Sequence, residues 1–214
     1  MILYDYWRSS AAYRTRIALN LKGLEAERRF INLARGAQAE ADFAKVNPQK
    51  LVPALVTDGG TLTQSLAIIE WLDETHPLPP LLPGDAANRA AIRAFALAIA
   101  CDIHPLNNLR VLNHLRQKLG QDEDGVNAWY LHWIYTGLAA CEAMLADVPA
   151  SKFCFGGQPT LADICLVPQM ANARRYKADL APYPRLVAAN AAVRAHEAFA
   201  KAAPEAQPDA VKPA

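Results

Sequence analysis

The fold of this chain is decided by residues 2–19, which read ILYDYWRSSAAYRTRIAL. The apolar start predicts a strand, Ser9 and Ser10 follow in a short loop, and residues 10–21 have the spacing of a helix. The first N–H groups of such a helix lack partners within it, so its N-terminus favours an anion such as a thiolate. Taken alone, the pattern favours a plain serine N-cap.

The following segments alternate strands and helices and predict the order βαβαββα for residues 1 to about 80. The expected elements after the first helix are a strand over 27–33, a helix over 38–46, strands over 52–56 and 61–63, and a helix from Ser65 to about Thr75. Asp58-Gly59-Gly60 between the last two strands is a hairpin signal.

The chain from about residue 85 is rich in alanine and leucine and predicts about five helices, without strands. Pro105 and Pro168 fall inside helical patterns and are expected to kink them. Thr160 and Asp163 have the spacing of a capping box.

Prolines at 77, 79, 80 and 83 predict a stiff connection between the halves, because proline cannot continue a helix. We therefore expect an α/β domain over 1–82, an all-helical domain over 86–203 and a disordered tail over 204–214, where proline and alanine dominate.

Composition indicates a globular protein with a small-molecule partner. Of the 214 residues 52% are hydrophobic, and the net charge is +1 with both signs interspersed, which argues against a nucleic-acid or membrane surface. No signal-peptide pattern and no apolar run of about 18 residues is present, so we expect a cytoplasmic protein.

The cysteines lie far from the Ser9 loop in sequence. They occur singly in apolar surroundings, without metal-ligand spacing, and are expected as buried, reduced thiols rather than disulfides or a metal site: Cys101, Cys141, Cys154 and Cys165. Any thiol chemistry at Ser9 must therefore use a thiol brought by a ligand.

Two further segments offer binding groups. Val52-Pro53 stands at the start of a strand, where a cis bond would turn the Val52 backbone outward as an open donor and acceptor pair. Gln64-Ser65 stands at a helix start, where it offers an amide, a hydroxyl and N–H groups to a carboxylate. Separately, Pro53 is typical of an edge strand and Ser65 of a cap.

Together with the βαβαββα order and the helical second half, these segments resemble the glutathione transferase superfamily over nearly the whole chain. Its zeta class is resembled by residues 8–10, 14–19, 64–70, 166–169 and 172–176, and residues 101–110 resemble the bacterial maleylpyruvate isomerases of that class. The resemblance implies a thioredoxin-like glutathione-binding domain, a helical substrate domain, glutathione as cofactor and a homodimer.

The resemblance also assigns the glutathione site. Ser9, with Ser10 as the second candidate, would stabilise the glutathione thiolate, the Val52-Pro53 backbone would pair with the cysteinyl amide, and Gln64-Ser65 would hold the γ-glutamyl carboxylate. The remaining candidates for glutathione are Gln38 and Gln49 at the glycyl end, and His104 and Asn108. For His104 a plain role beside Pro105 is equally expected.

The implied activity is glutathione-dependent cis–trans isomerisation of a maleyl keto acid, maleylpyruvate or maleylacetoacetate. Arg175, and on even odds Arg8 and Arg110, would bind the substrate carboxylates between the domains, whereas Arg174 is expected at the surface. Ala11 replaces the Cys or Thr usual in the class. Two alternatives remain: a transferase or dehalogenase that consumes glutathione, and a glutathione-binding protein without activity.

Overall fold

A computed structural model describes residues 1–211 of the chain. The chain forms two compact units: the first contains Met1–Leu81 and the chain from Ala195 on, and the second contains Leu82–Arg194.

The first unit has the predicted βαβαββα order. Its strands and helices are β1 (Ile2–Asp5), α1 (Ser10–Leu21), β2 (Glu27–Phe30), α2 (Ala41–Val46), β3 (Ala54–Thr57), β4 (Gly60–Thr63), α3 (Ser65–Thr75) and, after the second unit, α9 (Glu197–Ala202). The strand order in the sheet is β2-β1-β3-β4. β1 is parallel to β2 and antiparallel to β3, and β3 is antiparallel to β4. This mixed sheet with flanking helices is the thioredoxin-like arrangement expected from the sequence.

The exposure of the strands follows their place in the sheet. β1 lies inside the sheet and buries Leu3 and Asp5 on alternate positions. β2 lies at an edge and carries Glu27, Arg28 and Arg29, a charged sequence that discourages pairing with another chain.

α1 lies in the middle of the helical layer of the first unit. It packs against both α3 and α9, so its residues from Ala12 to Leu19 are buried whatever face they occupy. This all-round burial explains why two arginines of α1, Arg14 and Arg16, are only 1% and 2% exposed.

The second unit consists of helices. They are α4 (Ala86–Leu97), α5 (Leu109–Gln117), α6 (Glu123–Met144), α7 (Leu161–Arg175) and α8 (Pro184–Arg194). α7 is its central helix, packed against α4 and α8, and it begins with the predicted capping box of Thr160 and Asp163. Pro168 lies inside α7 as predicted.

α4 continues directly into a π-helical segment, Ala98–Ile103, which stops before Pro105. The expected kink at Pro105 is therefore wrong: the helix ends there, because the proline has no N–H to donate. The π-helical segment packs on α6 at Gly137, where a Cβ would lie 2.1 Å from Ile103 Cγ1. Only glycine permits this approach.

Several element boundaries differ from the predictions. The expected helix over 38–46 is shorter, because two 3₁₀ turns (Leu33–Arg35 and Ala37–Ala39) precede α2. Gly36, at φ 78°, separates these turns in a left-handed conformation that interrupts a helix. β2 ends at Phe30 rather than at residue 33, and β3 begins at Ala54 rather than at residue 52.

The largest difference from the predictions concerns the segment from residue 204, which was expected to be disordered. Residues 204–206 form a 3₁₀ turn, and Gln207 is buried and donates from Nε2 to the carbonyl groups of Lys201 and Ala203 at 2.9 and 2.8 Å. The helical domain expected to run to 203 also ends earlier, because the chain rejoins the first unit at Ala195. Residues 212–214 lie outside the described residues.

Cys141, Cys154 and Cys165 are buried and form no disulfide among the described residues, as expected, but Cys101 is exposed, which corrects the prediction for that residue. Burial raises the pKa of the Cys141 thiol to about 12, so it stays protonated. Among residues 1–211 no helix combines the length and apolar character needed to cross a bilayer.

Candidate active site

The Ser9 loop begins at the end of β1 and leads into α1. Ser9 is the N-cap, and its hydroxyl oxygen accepts a hydrogen bond from the Ala12 amide at 3.2 Å. The capping role is confirmed, and it does not compete with a chemical one, because capping uses the oxygen and leaves the hydroxyl proton available to donate to an anion. Ser10 is the first residue of α1 and is 8% exposed.

Arg8 precedes the capping serine and is exposed. Its guanidinium carbon lies 5.6 Å from the centroid of the Trp7 ring, a cation–π contact that leaves the N–H donors free to bind a carboxylate.

The Val52-Pro53 peptide bond is cis. The sheet register ends with Tyr4 opposite Ala54 and Ala54 opposite Thr63, so Val52 lies beyond the ladder. Pro53 is buried and fixes the approach to β3. The Val52 backbone therefore takes no part in the sheet ladder, which is what the predicted added-strand contact with a peptide requires.

Gln64 adopts φ 68° and ψ 118°, an unusual conformation for a residue with a Cβ, and leads directly into α3. Such conformations cost about 1–3 kcal/mol and cluster at binding sites. The Gln64 Nε2 donates to Gln49 Oε1 at 2.9 Å, so two predicted glutathione ligands that are 15 residues apart lie in contact. Ser65, buried at the start of α3, has its hydroxyl at a helix N-terminus, where a carboxylate is favoured.

Arg14 is a residue of this site for which the sequence analysis assigned no role. Its Nη1 donates to Ser65 Oγ at 3.4 Å, and its side chain is 1% exposed. A buried guanidinium beside the start of α3 adds positive charge where the γ-glutamyl carboxylate is expected. The sequence feature that could have indicated a role for Arg14 is that α1 contains no acidic residue with which the arginine could pair.

Gln38 lies in the second 3₁₀ turn, not at a helix start. Its Oε1 is buried and accepts no hydrogen bond from any of the described residues. A buried acceptor of this kind needs a donor, which a bound ligand amide can supply.

In the second unit the candidates between residues 104 and 110 belong to two different helical elements. His104 caps the π-helical segment. Asn108 is the N-cap of α5, and its Oδ1 accepts from the Arg110 amide at 3.1 Å, which leaves its NH₂ group for a ligand. Arg110 was expected on the first helix of this domain but lies on α5, because the preceding helix ends before Pro105.

Arg175 ends α7 against two stacked tyrosines. The Tyr130 and Tyr176 rings lie 3.5 Å apart at 7°, and the Arg175 guanidinium lies 5.3 Å from the Tyr176 centroid. Its Nη2 donates to the Tyr130 hydroxyl at 3.5 Å. The side chain is exposed, so the remaining donors face solvent or a ligand.

Arg174 points elsewhere, as expected for adjacent residues of a helix. Its guanidinium approaches the Asn190 amide of α8 at 2.8 Å, with the amide oxygen turned toward it. Burial lowers the pKa of Arg174, and the nearby charge of Arg194 lowers it further. Arg174 thus contacts α8, whereas the exposed guanidinium of Arg175 remains accessible to a ligand.

The side chains of the first unit fit glutathione. The Val52 backbone, outside the sheet ladder, suits an amide, and the buried hydroxyl and guanidinium at the α3 start suit a carboxylate. The Gln38 oxygen, which has no donor among the described residues, suits an amide, and the helix start at Ser9 suits a thiolate. Each of these pairs joins an acceptor with a donor or a charge with its opposite.

Comparison with known proteins agrees with this chemistry. The family models for the glutathione S-transferase N-terminal and C-terminal domains match residues 1–74 and 134–197. A probable maleylacetoacetate isomerase of Vibrio cholerae is 51% identical over 212 residues, 98% of each chain. A maleylpyruvate isomerase of a Ralstonia species is 50% identical and covers 98% of this chain and 99% of its own.

Solved structures show the same relationship. The holo structure of a maleylpyruvate isomerase, described as a bacterial zeta-class glutathione S-transferase, superposes with a TM-score of 0.96 at 50% identity and covers 99% of this chain and 100% of its own. A maleylacetoacetate isomerase of Anaeromyxobacter dehalogenans, with dicarboxyethyl glutathione and citrate in its active site, superposes with a TM-score of 0.86 at 43% identity, over 99% and 97% of the chains. This chain therefore belongs to the glutathione transferase family and, within it, to the zeta class of maleylacetoacetate and maleylpyruvate isomerases.

Proposed function

We propose that this protein is a glutathione-dependent cis–trans isomerase that converts a maleyl keto acid to its fumaryl isomer. The observation that carries the proposal is the Ser9 hydroxyl at the start of α1, in a unit that contains none of the four cysteines. When bound, glutathione supplies a thiolate that adds to the conjugated double bond, permits rotation about it and then leaves.

The chain's own residues stabilise charge at two places. Ser9 donates a hydrogen bond to the thiolate, assisted by the N-terminal dipole of α1, which together favour the ionised sulfur. Val52, Gln64 and Ser65 hold the peptide, with Gln49, Gln38, His104 and Asn108 as further contacts. Ser10 is the alternative donor, and Ala11 offers no polar group to the sulfur.

Substrate recognition falls to arginines. Arg175 binds a carboxylate of the substrate, because it is exposed while its orientation is fixed by Tyr130 and Tyr176. Arg8, supported by Trp7, and Arg110, at the exposed start of α5, are the candidates for the second carboxylate. The dicarboxyethyl glutathione held by a 43% identical isomerase supports a dicarboxylic substrate.

The test of the proposal measures free glutathione during turnover of maleylpyruvate and maleylacetoacetate. Isomerisation should require glutathione and leave its concentration unchanged. Stoichiometric loss of glutathione would instead establish a transferase or dehalogenase, and full activity in thiol-free buffer would remove the proposed role of Ser9. Binding of glutathione without turnover would identify a binding protein.

The role of Arg175 is tested by substrate selectivity. Arg175→Ala should lower kcat/KM for the maleyl keto acid by about 10- to 150-fold, since a hydrogen bond to a charged group contributes roughly 1.5–3 kcal/mol. Conjugation of an uncharged electrophile should stay near wild type. Arg175→Lys should recover only part of the loss, because an ammonium lacks the guanidinium fork. Arg174→Ala is the matched control, and equal losses for both substrates in Arg175→Ala would assign the arginine to the fold.

We further propose a homodimer that acts in aromatic catabolism in the cytoplasm. The dimer is what the resemblance to the glutathione transferases implies, and cysteines without disulfides suit a reducing compartment. Sedimentation equilibrium at micromolar concentration should give twice the chain mass of 23.3 kDa, and a monomer mass would remove the proposal.

A further inference from the structure

A group of buried and half-buried charges surrounds Asp5, at the end of β1. Asp5 is fully buried and forms ion pairs with Arg16, at 2.8 Å, and with Arg28. Two guanidiniums therefore face one carboxylate of β1, and buried charges are stable only when they are paired. The second carboxylate comes from the far end of the chain, at Asp209.

Asp209 contributes to the charge balance of both arginines. Burial lowers the pKa of Arg16 to about 10, and interactions with Tyr13 and with the negative charge of Asp209 oppose that change. Burial also lowers the pKa of Arg28, and there too the charge of Asp209 opposes the change. Asp209 thus helps to keep two partly desolvated guanidiniums protonated.

Three of these charged side chains, Asp5, Arg16 and Asp209, bind the backbone that leads to Ser9. The Trp7 amide donates to Asp209 Oδ2 at 3.0 Å, and Arg16 Nη2 donates to the Trp7 carbonyl at 3.1 Å. The Tyr6 amide donates to Asp5 Oδ1 at 2.7 Å, and the Ser9 amide closes the turn on the Tyr6 carbonyl at 2.9 Å. Both backbone polar groups of Trp7, two residues before Ser9, are therefore bound by charged side chains.

The segment that carries Asp209 is itself fixed. Arg28 Nη2 donates to Gln207 Oε1 at 3.1 Å, and the amide of Gln207 bonds back to the end of α9 and the residue after it. Asp209 follows two residues later. The carboxylate is thus presented from an anchored turn rather than from a free chain end.

We propose that Asp209 is a positioning residue for Ser9: by binding the Trp7 amide and balancing Arg16, it sets the direction in which the Ser9 hydroxyl meets the glutathione thiolate. This inference rests on the proposed role of Ser9. It makes the C-terminal segment part of the active-site support, 202 residues away in sequence from the loop it holds.

The test uses the full-length protein and the ultraviolet absorbance of the thiolate of bound glutathione, titrated without substrate. Asp209→Ala should raise the pKa of the bound thiol and lower kcat by about 10- to 100-fold, because a misplacement of about 1 Å costs on that order. The Kd of glutathione should change by less than about threefold, since the peptide-binding groups are untouched. Asp209→Asn, which keeps an oxygen for the Trp7 amide, should recover part of the thiol ionisation.

Glu205→Ala is the matched control, because Glu205 is an exposed carboxylate on the same segment. In Glu205→Ala, kcat and the pKa of the bound glutathione thiol should equal those of wild type. The inference would be overturned if Asp209→Ala kept the wild-type kcat and the wild-type pKa of the glutathione thiol and lowered only the melting temperature. That result would leave the proposed function intact. If Asp209→Ala does not fold, Asp209→Asn decides by the same readout. Failure of wild type to ionise bound glutathione would overturn both proposals.

Discussion

In the proposed mechanism Ser9 combines a structural and a chemical task in one hydroxyl group. Its oxygen accepts the Ala12 amide and caps α1, which leaves the hydroxyl proton available to an anion at the helix start. Loss of the hydroxyl therefore affects both helix stability and thiolate stabilisation, and a suitable pair of substitutions separates the two.

Ser9→Ala and Ser9→Gly should both lower kcat by about 10²- to 10³-fold and raise the pKa of bound glutathione, since one preorganised donor to a developing anion contributes about 2.7–4 kcal/mol. Only Ser9→Ala should lose stability, by about 1 kcal/mol, because glycine is a tolerated N-cap. Thiol titration and urea unfolding measure the two effects.

Ser10→Ala is the comparison for both measurements, and its effect on the thiol pKa should be smaller. If Ser9→Gly kept the wild-type thiol pKa, the donor would have to be reassigned to Ser10. If Ser9→Gly lost as much stability as Ser9→Ala, glycine would not act as a tolerated N-cap here, and the loss would be assigned to the hydrogen bond between the Ser9 hydroxyl and the Ala12 amide.

At the scale of elements, the contact between α6 and the π-helical segment depends on a missing side chain. Ile103 is 1% exposed and occupies the space beside Gly137, so it has no room to move aside. Two effects oppose each other when a methyl group is added: alanine is favoured in a helix by about 0.5–1 kcal/mol, whereas overpacking a core costs about 1–3 kcal/mol. At a separation of 2.1 Å the second effect dominates.

We therefore expect Gly137→Ala to lower the free energy of unfolding by about 1–2 kcal/mol, measured by urea denaturation. Gly157→Ala serves as the control, because a Cβ there meets no heavy atom within 4 Å and its φ is not positive. A gain in stability in Gly137→Ala would show that Ile103 repacks freely.

At the scale of the whole chain, the last residues complete the first unit. α9 packs against α1 and buries Ala198, Phe199 and Ala202. Arg16 Nε also donates to the Ala202 carbonyl at 2.9 Å, so the contact is polar as well as apolar. The first unit is therefore assembled from both ends of the chain.

Phe199→Ala should lower the free energy of unfolding by about 3–5 kcal/mol, the usual cost of removing a buried phenylalanine. Val211→Ala, in the same segment but 73% exposed, should change it by less than about 0.5 kcal/mol. A small effect in Phe199→Ala would mean that α9 contributes little to the stability of the first unit.

The sequence by itself determined the order of elements, the capping of α1 by Ser9, the capping box of α7 and the positions of Val52-Pro53 and Gln64-Ser65. These features follow from periodicity and from turn and cap chemistry, which act over a few neighbouring residues. Only the tertiary structure decided the ordering of residues 204–211 and the burial of Arg14 beside Ser65. Each depends on a partner distant in the chain, such as Asp209 on Trp7 or Arg14 on Ser65, and no local pattern records which distant groups will meet.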